Sequence, residues 1–574
     1  MNRRRPWLRR FLWASGALAG SLLVAYLIML GLMVRWVARP PALASEPGIV
    51  RLVPEQRGDR VYLGRNWLGR REGLPVLYLT GTPFEMGYAN GVLTQRFIHR
   101  QEDTVLELLH RVAPYAWTRF LVKFFVVYQN RDLPDHFAAD LQMEVLGISR
   151  GCPDKHPEAG PWFHRVLNYH AAQDISYMLM NSPLIRPGCT AFGAWGKHTR
   201  EGHLLAARNF DWEAAPVFDE DRIVMISEPS DGLAFISLAW AGMVGCVSGM
   251  NREGLCVTVN GAPSRLPRQA ATPTCLVARD VLQHARNLEE ATAIIRRSRV
   301  FVSAQFLIGS RQDGRFVVIE KTPEHTVVRE AAGDSLIICA NHYLTPALTN
   351  DAVNQAFVRR DTSVPRYDRM AELLARTTAG SLDPVQSAAI LRDRRLAGDR
   401  FPGNGHRSTL NPLIATHAVI LDLTAGIFWA GSPPHQLGRF VAFDLNQVER
   451  ELPQSGVGAD SLLATGEHRR YRATLGTLDA GWKRLKQRNH AGARDCALQA
   501  EKDNPGFYRN AWLLAESLRG LGRRQEAARA CQDAIEGRPA LAGEREQIEK
   551  LAREVAEPAR LPGPASSNAS GGTE

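Results

Sequence analysis

The longest hydrophobic segment of the chain runs from Phe11 to Val34 and holds 24 uncharged, mostly apolar residues. A helix of that length, at about 1.5 Å per residue, can cross the hydrocarbon core of a membrane. Arginines before it outnumber those that follow it closely, at positions 3, 4, 5, 9 and 10 against 35 and 39. The positive-inside rule therefore predicts a cytoplasmic N-terminus, an anchor in a bacterial inner membrane and a periplasmic body. A cleaved signal peptide is the alternative, because Ala42-Leu43-Ala44 suits a cleavage site.

The positions of prolines and of apolar residues predict the elements that follow the hydrophobic segment. Residues 1–40 form the basic stub and anchor, and residues 41–74 are expected to be a linker that leads into the catalytic region. A helix is predicted from the Gly81–Gly91 stretch to beyond Leu109. Residues 119–128 are strongly apolar but too short to span a membrane. A buried helix is the preferred interpretation, and an acyl-binding or membrane-dipping element is the alternative.

Short strand-like segments begin at Cys189, and turns that contain glycine separate several of them. The predicted strands cover residues 190–195, 204–210, 223–227, 234–240 and 255–260. Residues 275–298 follow a helical period, with a helix start at Asn287. Strands followed by helices indicate an α+β fold.

Beyond Gly466 the sequence becomes helical and rich in alanine. Asn504-Pro505 is matched by Arg538-Pro539 at a spacing of 34 residues, and two alanines repeat at the same offset. This period is typical of tetratricopeptide helical hairpins, so residues 466–557 are expected to form an all-α repeat region that could bind a protein partner. The tail at 558–574, rich in proline, serine, glycine and alanine, is predicted to be disordered.

Composition narrows the possible functions. The formal net charge is +11, but the basic residues are dispersed and no basic helix interleaves with aromatic residues, so a nucleic-acid partner is not expected. The eight cysteines form no C-x-x-C pair, which argues against a zinc or thioredoxin-like site. No motif indicates a metal or an organic cofactor.

The most informative chemistry lies at Gly188-Cys189-Thr190. A cysteine can attack the carbonyl of the glycine before it, convert the peptide into a thioester and leave a new chain that begins at Cys189. Such a residue carries a thiol and a free α-amine whose reference pKa is about 8, so the amine can act as the base of the thiol. Gly188 and Cys189 are therefore the predicted cleavage site.

Four ordered stretches between about Pro75 and Trp429 resemble the acyl-coenzyme A:6-aminopenicillanic acid acyltransferase (peptidase C45) family, a self-processing N-terminal-nucleophile (Ntn) group related to the choloylglycine hydrolases. They are Gly81–Gly91, Gly188–Thr190 with Arg208–Asp211, Gly249–Gly261, and Ala340–Tyr343. The resemblance implies a four-layer αββα sandwich whose nucleophile opens a central strand. It also implies a pro-region at 75–188 and a catalytic chain at 189–460.

The resemblance assigns roles to five residues besides Cys189. Arg208 is expected near the thiolate, and Asp211 is expected to orient the α-amine; a strand salt bridge is the structural alternative. Asn260 and Asn341 are expected to line an oxyanion hole, and turn formation is their alternative. Arg407 is a further candidate arginine.

Three functions remain open. The first is an enzyme that hydrolyses or transfers the acyl group of a linear amide through a Cys189 thioester, on a small-molecule or lipid-like N-acyl substrate. The second is a membrane-tethered tetratricopeptide scaffold with an inactive catalytic domain. The third is a papain-like protease that would use His342 or His406 with Cys189.

Overall fold

The architecture is that of a computed structural model, which describes residues 6–172, 174, 188–213, 215–263, 265, 270–333 and 335–557. The predicted disordered tail at 558–574 lies outside the described residues. The chain divides into two units, Met1–Asp393 with Ser408–Leu463 and Arg394–Arg407 with Ala464–Glu574.

Strands in the described ranges all belong to the first unit. They are β1 Glu55–Arg57, β2 Arg60–Leu63, β3 Asn66–Arg71, β4 Leu74–Gly81, β5 Gly188–Ala194, β6 Leu205–Asp211, β7 Arg222–Pro229, β8 Phe235–Trp240, β9 Ser248–Asn251, β10 Leu255–Gly261, β11 Ala304–Ser310, β12 Arg315–Lys321, β13 Thr326–Arg329, β14 Leu336–Cys339, β15 Ala415–Asp422, β16 Ile427–Gly431 and β17 Phe440–Asp444.

Helices of the first unit lie mainly outside the sheets. They are α1 Pro6–Trp36, α2 Pro83–Val112, α3 Ala116–Gln129, α4 Ala139–Gly151, α5 Trp162–Tyr169, α6 Pro216–Glu220, α7 Thr274–His284, α8 Leu288–Arg297, α9 Pro346–Thr349, α10 Ala352–Val358, α11 Ser363–Ala375, α12 Pro384–Leu391 and α13 Ser461–Ala464.

Two sheets form the centre of this unit. One has the order β1-β2-β3-β4-β7-β8-β9-β10-β11-β12-β13, and the other has the order β14-β5-β6-β15-β16-β17. Neighbouring strands are antiparallel except β4 and β7, which are parallel. β5 therefore occupies the interior of the smaller sheet, between β14 and β6.

Apolar side chains from both sheets interlock between them, including Val76, Val224, Ala206 and Val419. Helices α2 and α4 pack on one part of the outer face of the larger sheet, and α7 and α8 pack on another part. Helices α11 and α12 cover the outer face of the smaller sheet. The packing is therefore helix, sheet, sheet, helix, and the α+β, αββα prediction is confirmed.

The Gly81–Gly91 stretch has a physical explanation. Thr82 and Glu85 form a capping box at the start of α2, which begins with Pro83. A Cβ at Gly87 would collide with the carbonyl oxygen of Glu144, and one at Gly91 would collide with the backbone of α4. The glycines thus let α2 and α4 approach closely over the larger sheet.

Two elements differ from the sequence expectation. The linker predicted at 41–74 contains β1, β2 and β3, which extend the larger sheet as short antiparallel strands. The helix predicted near 119–128 exists as α3, but of its residues only Val127 and Gln129 are buried, so the buried-helix interpretation was wrong.

Among the described residues, one helix is long and apolar enough to cross a membrane, at Trp13–Trp36 within α1, and none of that segment is buried. The chain after α1 docks on the catalytic unit, because Ala38 is buried and its N–H donates to Nδ1 of His164 over 3.0 Å. Leu43 packs on the same core.

The second unit contains consecutive helices that pack as antiparallel hairpins, α14 Glu467–Lys486, α15 His490–Asp503, α16 Tyr508–Gly520, α17 Arg524–Glu536 and α18 Ala542–Ala556. The starts of α15 and α17 are 34 residues apart, and so are those of α16 and α18. Ala493, Ala500, Ala527 and Ala534 are fully buried. Helical hairpins are thus present, while their assignment as tetratricopeptide repeats stays a prediction.

Candidate active site around Cys189

Cys189 is the second residue of β5 and is fully buried. Its strand partner across β6 is Phe210, and the preceding Gly188 lies opposite Asp211. Burial raises the pKa of Cys246, Cys256 and Cys339 to about 12, so these other thiols stay protonated and inert.

Arg208 reaches the sulfur of Cys189 from the neighbouring strand. Its Nη2 lies 3.5 Å from Sγ, and the guanidinium also donates to the carbonyl oxygens of Val247, at 2.7 Å, and Val259. Arg208 is fully buried, and among the described residues no carboxylate lies within ion-pair distance of it. This buried positive charge is therefore free to stabilise negative charge on the sulfur during attack.

Ser248 and His417 complete the surroundings of Arg208. Ser248 Oγ lies 2.5 Å from Arg208 Nη1 and 3.1 Å from His417 Nε2. Burial, followed by the charge of Arg208, lowers the pKa of His417 well below its usual value. His417 is therefore neutral and adds no second charge beside the guanidinium.

Asn341 holds the backbone nitrogen of Cys189. Its Oδ1 accepts from Cys189 N over 2.8 Å, and its Nδ2 donates to the carbonyl of Gly261 over 2.8 Å. Ser363 Oγ fixes the backbone N–H of Asn341 at 2.8 Å. In the uncleaved chain Asn341 thus contacts the nitrogen that would become the α-amine, in addition to the oxyanion role expected from the sequence.

Asn260 is the penultimate residue of β10, and hydrogen bonds connect it to the chain beside Asn341. Its Nδ2 donates to the carbonyl of Ala340 over 3.0 Å, next to Asn341, while Asn341 donates to Gly261, next to Asn260. Both asparagines are fully buried. Each amide nitrogen carries two N–H groups, so these bonds fix the planes of the amides.

Asp211 is placed beside the predicted scissile bond. Its Oδ2 lies 3.5 Å from the position that a Cβ of residue 188 would occupy, and the Arg366 guanidinium carbon lies 3.6 Å from the same point. Asp211 is 2% exposed. Its carboxylate and the Arg366 guanidinium therefore flank Gly188.

Arg366 is the residue that sequence reasoning missed. It lies on α11, is 1% exposed and donates from Nη1 to the carbonyl of Cys189, at 2.5 Å, and to Thr190 Oγ1, at 2.6 Å. Its Nη2 donates to Asn341 Oδ1 over 2.7 Å. Arg366 therefore binds the main chain of Cys189 and the asparagine that holds its nitrogen.

Arg407 lies in the segment Arg394–Arg407, which groups with the second unit. Its neighbour His406 donates from Nε2 to the carbonyl of Arg538 over 2.8 Å, and burial lowers the pKa of His406 to about 4. His342 bonds Ser363 Oγ at 2.8 Å. Among the described residues no histidine nitrogen lies within hydrogen-bonding distance of Cys189 Sγ, so the papain-like pairing gains no support.

An apolar pocket of about 150 Å³ lies on the side of the sheet where Phe210 is found. Phe210, the strand partner of Cys189, is part of its wall, with aromatic side chains Trp162, Trp212, Phe218 and Trp240. The charge of Glu102 in the wall is compensated by Arg165 Nε at 3.0 Å and Tyr169 Oη at 2.6 Å. Such a wall suits an apolar group.

Comparison with known proteins bears on this site. The family model described as acyl-coenzyme A:6-aminopenicillanic acid acyl-transferase matches residues 198–398. That range contains Arg208, Asp211, Asn260, Asn341 and Arg366. It lies C-terminal to Cys189 and ends before Arg407.

Two curated relatives match a part of the chain. Protein dcd1B of Dictyostelium discoideum is 24% identical over 264 residues, which cover 43% of this chain and 50% of that protein. An uncharacterized protein of Archaeoglobus fulgidus is 23% identical over 347 residues, covering 54% and 56%. The chain thus spans about half the length of the curated relatives it matches.

Solved structures with similarity include a variant of the conjugated bile acid hydrolase of Clostridium perfringens, 15% identical, which covers 45% of this chain and 93% of that one with a TM-score of 0.32. The Caenorhabditis elegans ortholog of N-acylethanolamine-hydrolyzing acid amidase is 15% identical and covers 41% and 93% with a TM-score of 0.30.

The match to residues 198–398 confirms the resemblance to the acyl-coenzyme A:6-aminopenicillanic acid acyltransferase family that the sequence motifs indicate.

Proposed function

We propose that this protein is a self-processing N-terminal-cysteine enzyme that hydrolyses or transfers the acyl group of linear amides through a thioester on Cys189. The observation that carries the proposal is that two different side chains contact the two atoms of Cys189 that would react. Arg208 contacts its sulfur over 3.5 Å, and Asn341 contacts its nitrogen over 2.8 Å.

Self-cleavage begins when Cys189 Sγ attacks the carbonyl carbon of Gly188. The C–N bond of that peptide breaks, the nitrogen takes up a proton, and Gly188 becomes a thioester on the sulfur. Water then hydrolyses the thioester, which leaves a carboxylate on Gly188 and a free amine and thiol on Cys189. Asp211 and Arg366, which flank Gly188, are positioned to orient the scissile bond.

In turnover the new α-amine accepts the thiol proton, and the sulfur attacks the amide carbonyl of the substrate. Arg208 stabilises the negative sulfur, and the amides of Asn260 and Asn341 are proposed as donors to the oxyanion. Collapse of the intermediate transfers the proton to the departing amine and leaves the acyl group on Cys189. Water or a second amine then resolves this thioester.

The acyl group is proposed to occupy the apolar pocket beside Phe210, which suits a lipid-like chain. The anchor is proposed to be retained, because cleavage after Ala44 would remove Ala38 and Leu43 from the core on which they pack. The arginine distribution then orients the catalytic unit toward the periplasm. The helical hairpins of the second unit are proposed to dock a protein partner.

N-acyl amides of increasing aliphatic chain length test this function. The ratio kcat/KM should rise by up to about fourfold per methylene until the pocket is filled. Ala241→Phe, which introduces a ring into the pocket wall, should shorten the preferred chain. Acid-quenched protein should carry the acyl mass on the peptide that begins at Cys189.

Cys256→Ala, which removes a buried thiol from β10, is the matched control for Cys189→Ala. The control should keep turnover, and Cys189→Ala should lose it. Turnover that survives in Cys189→Ala would reject the proposed nucleophile.

A further inference from the structure

Helix α3 presents a row of large apolar side chains to the outside. Trp117, Leu121 and Phe125 follow the i, i+4, i+8 spacing of one helix face and are 65%, 45% and 58% exposed. Tyr128 continues the row. We name these four residues the α3 face. A contiguous apolar surface of this kind marks an interaction site.

The side of α3 that adjoins this face packs against α1, and Tyr128 lies at the boundary between the two. The Phe120 ring lies 4.7 Å from that of Tyr26, and the rings of Phe124 and Tyr128 lie 6.1 and 5.5 Å from that of Trp36. Tyr26 contacts the earlier part of α3 and Trp36 contacts the later part, so the two helices run in the same direction over the end of the candidate membrane span. Tyr26 and Trp36 are ten residues apart. Ten residues of helix measure about 15 Å, roughly half of a hydrocarbon core of about 30 Å.

The two cations of α3 do not reach the α3 face. Arg119 donates to the carbonyl of Pro114 at 2.6 Å, and Lys123 donates to the carbonyl of Glu158 at 3.3 Å. Both charges are thus bound to backbone oxygens of the protein itself. The outward surface keeps aromatic and aliphatic groups, and its Tyr128 end lies beside Trp36 at the end of the candidate span, where tyrosine and tryptophan are common in membrane proteins.

We propose that the α3 face is in contact with bilayer lipid, in the same leaflet as the second half of α1. Lipid is the occupant because the α3 face is continuous with α1, whose span has no buried residue and carries no charge between Phe11 and Val34. A medium that covers α1 necessarily meets α3. The catalytic unit therefore has two membrane contacts, a spanning helix and an interfacial one.

The test uses the full chain in phosphatidylcholine vesicles, with single cysteines introduced for an environment-sensitive NBD dye. All eight native cysteines are buried, so background labelling is low. Leu121→Cys and Phe125→Cys probe the α3 face. Val385→Cys is the matched control, because Val385 on α12 is 59% exposed and belongs to the same unit.

Phosphatidylcholine with a doxyl quencher on its acyl chain should quench the dye at 121 and 125 by about twofold, and should leave the dye at 385 unchanged. Equal quenching at all three positions would overturn the proposal. A blue-shifted but unquenched dye at 125 would also overturn it, since a protein partner or second copy would then cover the face.

A second measurement needs no substitution. The unmodified chain in vesicles that contain a diazirine phospholipid should be photolabelled in residues 116–129 as well as in α1, and not in residues 384–391. Label confined to α1 would contradict lipid contact by α3.

Discussion

The two sides of Cys189 are built around two buried arginines that do different work. Arg208, on the neighbouring strand, contacts the sulfur and has neutral partners. Arg366, on a helix outside the sheet, contacts the carbonyl of Cys189 and the asparagine that holds its nitrogen. The comparison separates a charge that acts on the reacting atom from a charge that positions the main chain around it.

The largest effect is expected at the sulfur side. Arg208→Gln removes the only positive charge contacting Sγ among the described residues, so kcat/KM should fall by about 10²–10³-fold, the usual cost of losing an electrostatic donor. Arg208→Lys keeps the charge and should lose less. Steady-state kinetics on the purified variants measure both. Equal impairment of the two variants would mean that the shape of the Arg208 guanidinium matters more than its charge. That result would contradict the proposed difference between Arg208 and Arg366.

A smaller effect is expected at the main-chain side. Arg366→Gln should slow self-cleavage and lower kcat by about tenfold with little change in KM, because misplacement of the nucleophile affects the transition state more than binding. The time course of cleavage and the kinetics of the processed enzyme measure the two effects.

Arg369→Gln is the control on the same helix. Arg369 is 1% exposed but pairs with Glu372 and Asp393, each at 2.9 Å. Among the described residues it makes no hydrogen bond to Cys189. This variant should lower the melting temperature and keep kcat. A loss of kcat equal to that of Arg366→Gln would mean that α11 acts through stability alone.

The smallest effect concerns the pH dependence. Burial and Arg208 lower the pKa of His417 well below its usual value, so we expect this histidine to be neutral and not to titrate with the reaction. The rise of kcat/KM with pH should instead follow an α-amine, with a reference pKa of about 8. His417→Gln should keep the midpoint of this profile. A lost or displaced midpoint would make His417 the base and remove the distinction between the two sides.

The sequence could predict the sulfur side because its parts are local. The site residues of this side, Gly188, Cys189, Arg208 and Asp211, lie on two antiparallel strands that are consecutive in the chain and joined by residues 195–204. The strands β5 to β10 could also be predicted from the sequence, because they are short apolar segments and turns that contain glycine separate several of them. Asn260 and Asn341 were selected through the family resemblance, because their position at the end of a strand-like segment is equally compatible with a turn.

The main-chain side could not be predicted in the same way. Arg366 lies 177 residues from Cys189 and is one of 70 lysines and arginines, with no local pattern that distinguishes it. Its role arises from the packing of α11 on the smaller sheet. Similarly, the apolar spacing of α3 is the same for a buried helix and for a lipid-facing helix. The two interpretations can be distinguished only in the structure, where α3 contacts α1.

The central claim is that Cys189 becomes the N-terminus of a processed chain, and intact mass with N-terminal sequencing tests it most directly. Purified wild-type protein and Cys256→Ala should both yield a fragment that begins at Cys189, whereas Cys189→Ala should remain uncut at this bond. An active wild-type enzyme that stays intact, or that is cut at another residue, would contradict the account.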